Sequence, residues 1–495
     1  MTHAILWFRR DLRLTDNPAL QAALQQQVRK LIPVYIHAPQ EEAPWHPGSA
    51  SNWWLHHSLT ALDGALRKRG SGLVIARGKS LATLQKLAKQ HGCSHVYWND
   101  LPEPVCRHRD ERIMNRLSNA GLSCQAFNAS SLIAAPLLNL SGKPYRVFTP
   151  FWRALLKRGL PQAKPSPAPR SIPPLPDNIS SLPLNKLRLL PKIRWDSGFH
   201  DQWKPGEQGA LKQFERFLDI AMEDYANRRD RPDQTGTSRL SPHLHFGEIG
   251  PIQLLRGIEA QFGCRPANQP QGGSDPYLRQ LGWREFALYL LNHFPDTDSR
   301  PFDQRFRDFH WPDGEASSEY LARWQRGMTG IPIVDAGMRE LWRTGWMHNR
   351  VRMIVASLLT KNLGIHWLEG ARWFWDTLLD ADCANNTFGW QWSAGCGADA
   401  APYFRIFNPV RQGERFDPQG NYIRQWVPEI APLSDKQLNA PWEARATELS
   451  KAGVQLGKTY PKPIVDLADS RKEALQRWEQ IKHHHPKERA EYESA

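Results

Sequence analysis

Asp380 and Asp382 stand two residues apart at the end of an apolar helical pattern, and Asn385 and Asn386 follow where that pattern falters. Buried carboxylates demand partners, since an unpaired buried charge is strongly unfavourable. Arg352 is the partner expected for Asp380, and a purely structural ion pair is the alternative. A second cluster, Thr237-Ser238-Arg239-Leu240-Ser241, follows Gly236. Small hydroxyl residues at a turn into a helix expose backbone N–H groups and side-chain donors toward an anion such as a diphosphate, and Arg239 adds positive charge. An ordinary helix N-cap uses the same residue types. The chain also holds 21 tryptophans, most of them beyond residue 280. Tryptophan fills cores and interfaces, but it also stacks on bases and flavins and is oxidised more readily than other neutral side chains.

Composition narrows the partners. Lys and Arg number 64 against 50 Asp and Glu, a formal charge of +14, which favours a polyanion such as nucleic acid over a surface kept basic only for solubility. The six cysteines lie far apart, with no CxxC pair and no zinc-type Cys/His spacing, so no metal site is expected. The His run Lys482-His483-His484-His485 reads as surface. Ile5-Leu6-Trp7-Phe8 runs straight into Arg9 and Arg10, unlike a signal peptide, and no stretch is apolar enough to span a bilayer. A cytoplasmic monomer with no membrane partner is the expectation.

The elements that must position these residues fall into two classes. Residues 1–130 alternate apolar runs at 4–8, 31–37, 72–77, 94–98 and 124–127 with helical patterns over Asn17–Gln27, Ala50–Arg69, Leu81–Gln90 and Pro104–Asn119. That order predicts a doubly wound α/β domain with a parallel sheet. Arg9 to Asn17 follow the first strand without GxGxxG, so no dinucleotide is predicted there. Residues 131–208 read as an interdomain linker, Pro-rich from Pro161 onward. Residues 209–470 read as all-helical, with patterns over Gly209–Ala226, Ile252–Gln261, Tyr277–His293, Ser317–Arg326, Ile333–Arg343 and Asn349–Lys361. Residues 471–495 read as a charged tail.

Three segments in this order resemble the photolyase and cryptochrome family. They are Gly236 to Ser241, then Gly345-Trp346-Met347-His348-Asn349-Arg350-Val351-Arg352-Met353, then Asp380 to Asn386 running through Trp390-Gln391-Trp392 to Tyr403-Phe404-Arg405-Ile406-Phe407-Asn408-Pro409. Trp7-Phe8-Arg9 to Asn17 resembles the family's opening, so the resemblance covers about residues 1–470. It implies an N-terminal antenna-binding domain and a helical catalytic domain that binds FAD, active when reduced, and DNA. By resemblance Tyr225, Thr237, Ser238, Arg239, Leu240, Ser241, Arg352, Asp380 and Asp382 hold the cofactor. Asn386 matches the residue facing flavin N5, where an Asp or Cys is more typical of cryptochromes. Trp390, Trp367 and Trp311 match the family's electron-transfer chain, with Trp373 and Trp375 as other steps.

The implied activity is light-driven repair of cyclobutane pyrimidine dimers: excited reduced FAD passes an electron to a flipped-out dimer, the ring opens, and the electron returns. Photolyases are among the named examples of base flipping. Trp283 and Trp392 match the pair that stacks on the lesion, Met353 a soft contact, and Asn349 a donor to a base edge. Arg229, Arg350, Arg405 and Gln412 match DNA-contact positions. Gln280 departs from the pattern, because many dimer photolyases carry a Glu there and six-four photolyases carry Gln. The six-four enzymes also need a His pair where this chain has His348-Asn349, which favours the cyclobutane dimer. A six-four photolyase or a cryptochrome-type blue-light receptor is the second reading. Pro44 to His57 resembles class III photolyases, which implies an antenna of methenyltetrahydrofolate along that helix, with a deazaflavin or none as alternatives. The Asn-Glu pair of class I folate enzymes is replaced here by Cys106-Arg107. Trp53 and Trp54 serve either that antenna or helix packing.

Overall fold

The computed structural model describes residues 2–133, 137–263, 274–400 and 404–483. Cys264, Tyr403 and the tail beyond residue 483, with His484 and His485, lie outside the described residues.

The N-terminal half is built on five parallel strands: β1 (His3–Phe8), β2 (Lys30–His37), β3 (Val74–Arg77), β4 (Cys93–Asn99) and β5 (Ser123–Phe127), in the order β3-β2-β1-β4-β5. Ala4 to Phe8 are all buried, as a strand covered on both faces by helices requires. The covering helices are α1 (Pro18–Gln25), α2 (Ser49–Arg67), α3 (Ser80–His91) and α4 (Pro104–Asn119). Asn17 caps α1 by accepting from the Leu20 amide, and Pro18 occupies its first turn, where no donor is needed. The strand order reverses between β1 and β4, which is the usual ligand crevice of such sheets. Here the chain's own side chains meet at the ends of these strands: Arg9 lies 4.2 Å over the Trp7 ring, pairs with Asp110 at 2.7 Å and also reaches the Asn99 carbonyl.

After the sheet comes the helix Phe148–Arg158, followed by an extended run. That run lies along the sheet domain: the Ile172 amide donates to the Arg69 carbonyl, Leu31 to Pro174, and Leu182 to Ile75. Its prolines supply a chain that needs few donors of its own.

Beyond residue 206 the described chain is helical. The helix Glu207–Ile220 stops short of Ala226, because Ala221 leaves helical geometry at φ −123° and the chain restarts at Tyr225–Arg228. The helix Asn349–Ser357 runs into a π-helical turn, Leu358–Asn362, with all five residues buried. Such turns recur at functional sites. The halves are joined by polar contacts. Glu207 accepts from the Leu14 and Thr15 amides, the Leu12 amide donates to Phe246, Arg13 donates to the Gly247 carbonyl, and Trp54 Nε1 donates to Glu248. Gly247 is required here: its φ is +62°, and a Cβ would fall 2.2 Å from the Arg10 carbonyl oxygen.

Candidate active site

The sequence brings Gly345–Met353 and Asp380–Asn386 together through the Leu379 amide, which donates to the Gly345 carbonyl at 2.8 Å. Arg352 Nη2 then reaches Asp380 Oδ2 at 2.8 Å, and Arg352 Nε donates to the Met347 carbonyl, so the expected pair forms with the arginine fixed at both ends of its fork. Asp380 Oδ1 is buried without a partner. Asp382 caps the helix Cys383–Ala394, accepting from the backbone and side-chain amides of Asn385. Burial alone would raise the Asp382 pKa, but His245, Arg284 and the Asn385 amide outweigh it and hold the carboxyl well below the usual range. His245 Nδ1 stands 3.5 Å from Asp382 Oδ2. One turn into the helix, Asn386 Nδ2 donates to the Ala371 carbonyl at 3.1 Å, which fixes the amide and leaves its oxygen as the acceptor. Trp390 lies four residues further along the same face.

The turn at 236–241 is equally constrained. A Cβ on Gly236 would meet the Arg228 carbonyl oxygen at 2.4 Å. Arg239 sits in the left-handed region at φ 52°, Gln213 Nε2 donates to the Ser238 carbonyl at 2.7 Å, and Ser241 opens the short helix Ser241–His245. Tyr225 is buried edge-on to Tyr277 at 5.3 Å. The Arg239 guanidinium lies 4.6 Å from the Trp203 ring and 4.8 Å from the Trp346 ring, held by cation–π attraction. Burial lowers the Arg239 pKa, against the pull of Glu340. Glu340 is itself buried, accepts from the Tyr422 hydroxyl at 2.6 Å, and is pushed up to about 7 by burial.

Trp283 and Gln280 share the helix Ser274–His293. One face of Trp283 is covered by Phe148, stacked at 3.7 Å and 10°. Gln280 Nε2 donates to the Pro276 carbonyl at 3.2 Å. Asn349 is exposed, its amide 3.9 Å from Met353 Sδ. His348 caps that helix through Nδ1, its Nε2 is buried without a partner, and burial pushes its pKa down to about 4. Trp392 Nε1 donates to the Asp399 carbonyl. Arg350 pairs with Asp230 at 2.9 Å and lies 4.3 Å over the Phe416 ring. Arg229 and Gln412 are partly exposed and Arg405 is exposed.

The three chain tryptophans run outward in burial: Trp390 and Trp367 are buried and Trp311 is partly exposed. Gly370, one turn beyond Trp367, admits the Trp390 ring where a Cβ would stand 2.1 Å from it. The His366 ring lies 5.7 Å from Trp367 and 4.9 Å from Trp311. Trp324, which the sequence did not single out, is 6.1 Å from Trp390. Trp373 stacks on Trp342 at 6.0 Å, and Trp375 packs on Trp45 at 5.3 Å.

Sequence reasoning also missed His245, Phe148 and Glu340. Only His245 had a local signal, four residues beyond Ser241. Trp53 and Trp54 are buried, Trp53 against Phe199 and Trp54 against Trp203 and His243, so they pack the helix. Cys106 is buried, and Arg107 donates to Asn292 Oδ1 at 2.7 Å. Among the described residues no group of three or more His, Cys, Asp or Glu stands ready to hold a metal, and no helix is long and apolar enough to cross a membrane.

The polar set fits a flavin: an unpartnered carboxylate oxygen beside a fixed arginine, an anchored amide with its oxygen as acceptor, and a hydroxyl-bearing turn. Comparison with known proteins agrees. Residues 4–170 match the family described as DNA photolyase, and residues 277–480 match the FAD binding domain of DNA photolyase. The chain is 44% identical to a deoxyribodipyrimidine photo-lyase of Agrobacterium fabrum, over 97% of this chain and 98% of that one. It is 35% identical to cryptochrome-1 of Arabidopsis thaliana, over 94% of this chain and 69% of that one. A solved bacterial class III photolyase from Agrobacterium tumefaciens superposes with a TM-score of 0.91 at 43% identity, covering 97% and 98% of the two chains. With an α/β sheet domain joined to a helical half that carries this flavin-fitting site, the chain belongs to the photolyase and cryptochrome family and has its FAD-binding domain.

Proposed function

We propose that the protein is a deoxyribodipyrimidine photolyase that repairs cyclobutane pyrimidine dimers in DNA under light, acting as a cytoplasmic monomer. The observation that carries this reading is the Asn386 amide, fixed by the Ala371 carbonyl, in a helical half that also holds the Arg352–Asp380 pair. Reduced FAD, when bound, supplies the electron that light drives into the dimer. The chain's own residues position and shape charge, and none acts as nucleophile or general base. Asp380 and Arg352 orient the flavin edge, Asn386 accepts a hydrogen bond there without offering a strong acid, and Tyr225 with Thr237–Ser241 holds the diphosphate. Trp283, backed by Phe148, and Trp392 wall the pocket for the flipped lesion, with Met353, Asn349 and Gln280 at its edges. Arg229, Arg350, Arg405 and Gln412 meet the strand. Trp390, Trp367 and Trp311 carry electrons in from the surface to keep the flavin reduced.

For the antenna, methenyltetrahydrofolate bound in the class III manner is the proposed chromophore. The class I position is disfavoured because Cys106 is buried and Arg107 is engaged with Asn292. The test of function is direct: the reduced, FAD-loaded protein is illuminated with an oligonucleotide carrying one cyclobutane thymine dimer, and restored thymines are counted by chromatography. No restoration under light sinks the repair reading. Gln280 favours a second reading, the six-four lesion, which a parallel oligonucleotide distinguishes. Photoreduction without repair of either lesion would indicate a light sensor.

A further inference from the structure

Lys361 has no role in the chemistry above, yet it is 1% exposed and points from the π-helical turn toward Phe404 and Arg405, which lie ahead of the helix Pro409–Phe416. Its ammonium donates to the Arg405 carbonyl at 3.1 Å and stands 3.5 Å from the centre of the Phe404 ring. The same stretch of loop is tied from below by the Phe407 amide to Ser357 Oγ at 3.1 Å, and Phe404 lies flat on Trp478 at 5.3 Å. Ser357, Lys361, Trp392 and Arg405 share one small cavity. No carboxylate among the described residues pairs with Lys361. The ionisable groups around it are the Cys396 thiol and Arg405 on the loop, and Arg477 on the helix Leu467–Ile481, which donates to the Lys361 carbonyl. A buried ammonium without a counter-charge is costly. What it meets here is the backbone and ring flanking an exposed arginine.

We propose that Lys361 is the positioning residue of the DNA-facing loop: from beneath, it fixes Phe404 and the Arg405 carbonyl so that the Arg405 side chain is presented outward to a phosphate of the lesion strand. The proposal rests on the reading that Arg405 contacts DNA. Burial brings the Lys361 pKa down to about 7. Below that pH the ammonium attracts both the ring and the carbonyl, and as pH rises through about 7 the cation–π component is lost.

The test uses FAD-loaded protein, dark fluorescence anisotropy, a duplex carrying one cyclobutane dimer, and the variants R405A and K361M. R405A is expected to weaken binding. K361M should weaken it about tenfold, the scale of a lost cation–π contact with a charge-assisted hydrogen bond, while FAD content and photoreduction stay at the parental level. The parental affinity should fall severalfold between pH 6 and pH 8.5, and that fall should vanish in K361M. If R405A weakens binding and K361M stays within twofold of the parent, the Lys361 proposal is overturned and the Arg405 reading stands. If R405A binds as the parent does, the Arg405 reading fails and takes this one with it. Should K361M not retain FAD, Phe404→Leu decides, because it removes the ring that the ammonium holds: an affinity within twofold of the parent overturns the proposal.

Discussion

Replacing Arg352 by Met tests whether the Arg352–Asp380 pair is the keystone of the flavin site. Asp380 Oδ2 has Arg352 as its partner at 2.8 Å, its side chain is 4% exposed, and Oδ1 has no partner. Removing one partner of a buried pair leaves an uncompensated carboxylate, which costs about 3 kcal/mol at the lower end of the known range because Arg352 is itself 24% exposed. Converted at about 1.4 kcal/mol per tenfold, that is roughly a hundredfold loss in FAD affinity or an equal loss in stability. FAD release can be followed by flavin fluorescence on dilution, and stability by thermal melts. The control is Asp380→Asn, whose amide carries no charge. In that background R352M should cost less than about 1 kcal/mol, and the difference between the two costs is the coupling energy of the pair. Equal costs in both backgrounds would refute the assignment, since Arg352 would then act through its contact with the Met347 carbonyl alone.

Trp390→Phe should abolish photoreduction of oxidised FAD and leave repair by chemically reduced protein nearly intact; transient absorption and a repair assay read the two separately, and parallel loss would remove Trp390 from the electron path. Gln280→Glu should raise the repair yield for cyclobutane dimers severalfold, and a lowered yield would mean that the Gln amide is the better partner for this lesion. Glu340 has a pKa raised to about 7 in the folded protein, so its stabilising contribution is complete below the ordinary carboxyl range and is lost as pH rises through about 7. Thermal melts from pH 5 to pH 8 should therefore fall more steeply for the parent than for Glu340→Gln, and identical slopes would contradict the assignment.

The sheet and its order of elements were legible because strands buried on both faces read as unbroken apolar runs and the helices between them keep their period. The helical half was legible in its elements but not in its seams. Glu207–Ile220 ends where Ala221 changes conformation, which propensity does not announce. The pairing of Arg352 with Asp380 was readable because both partners lie within recognisable segments. Side chains recruited from far away were not: Phe148 reaches Trp283 across 135 positions of sequence, and Glu340 takes its hydrogen bond from Tyr422. Arg239 was readable in its charge but not in its support: the two indole faces that hold it come from Trp203 and Trp346, and nothing near residue 239 foretells them.

The stack of Phe148 on Trp283 has a consequence for dissecting or recombining this chain. The proline-rich run looks like the natural place to cut, yet the helix Phe148–Arg158 lies on its N-terminal side and contributes the ring that backs Trp283, the proposed wall of the lesion pocket. A helical fragment begun after that run would carry every residue proposed to hold the flavin and still present Trp283 with a bare face, free to tilt. A chimaera that exchanges sheet domains between relatives should therefore be joined before residue 148, so that the proposed antenna domain can change while the wall proposed to receive the damaged bases is inherited whole.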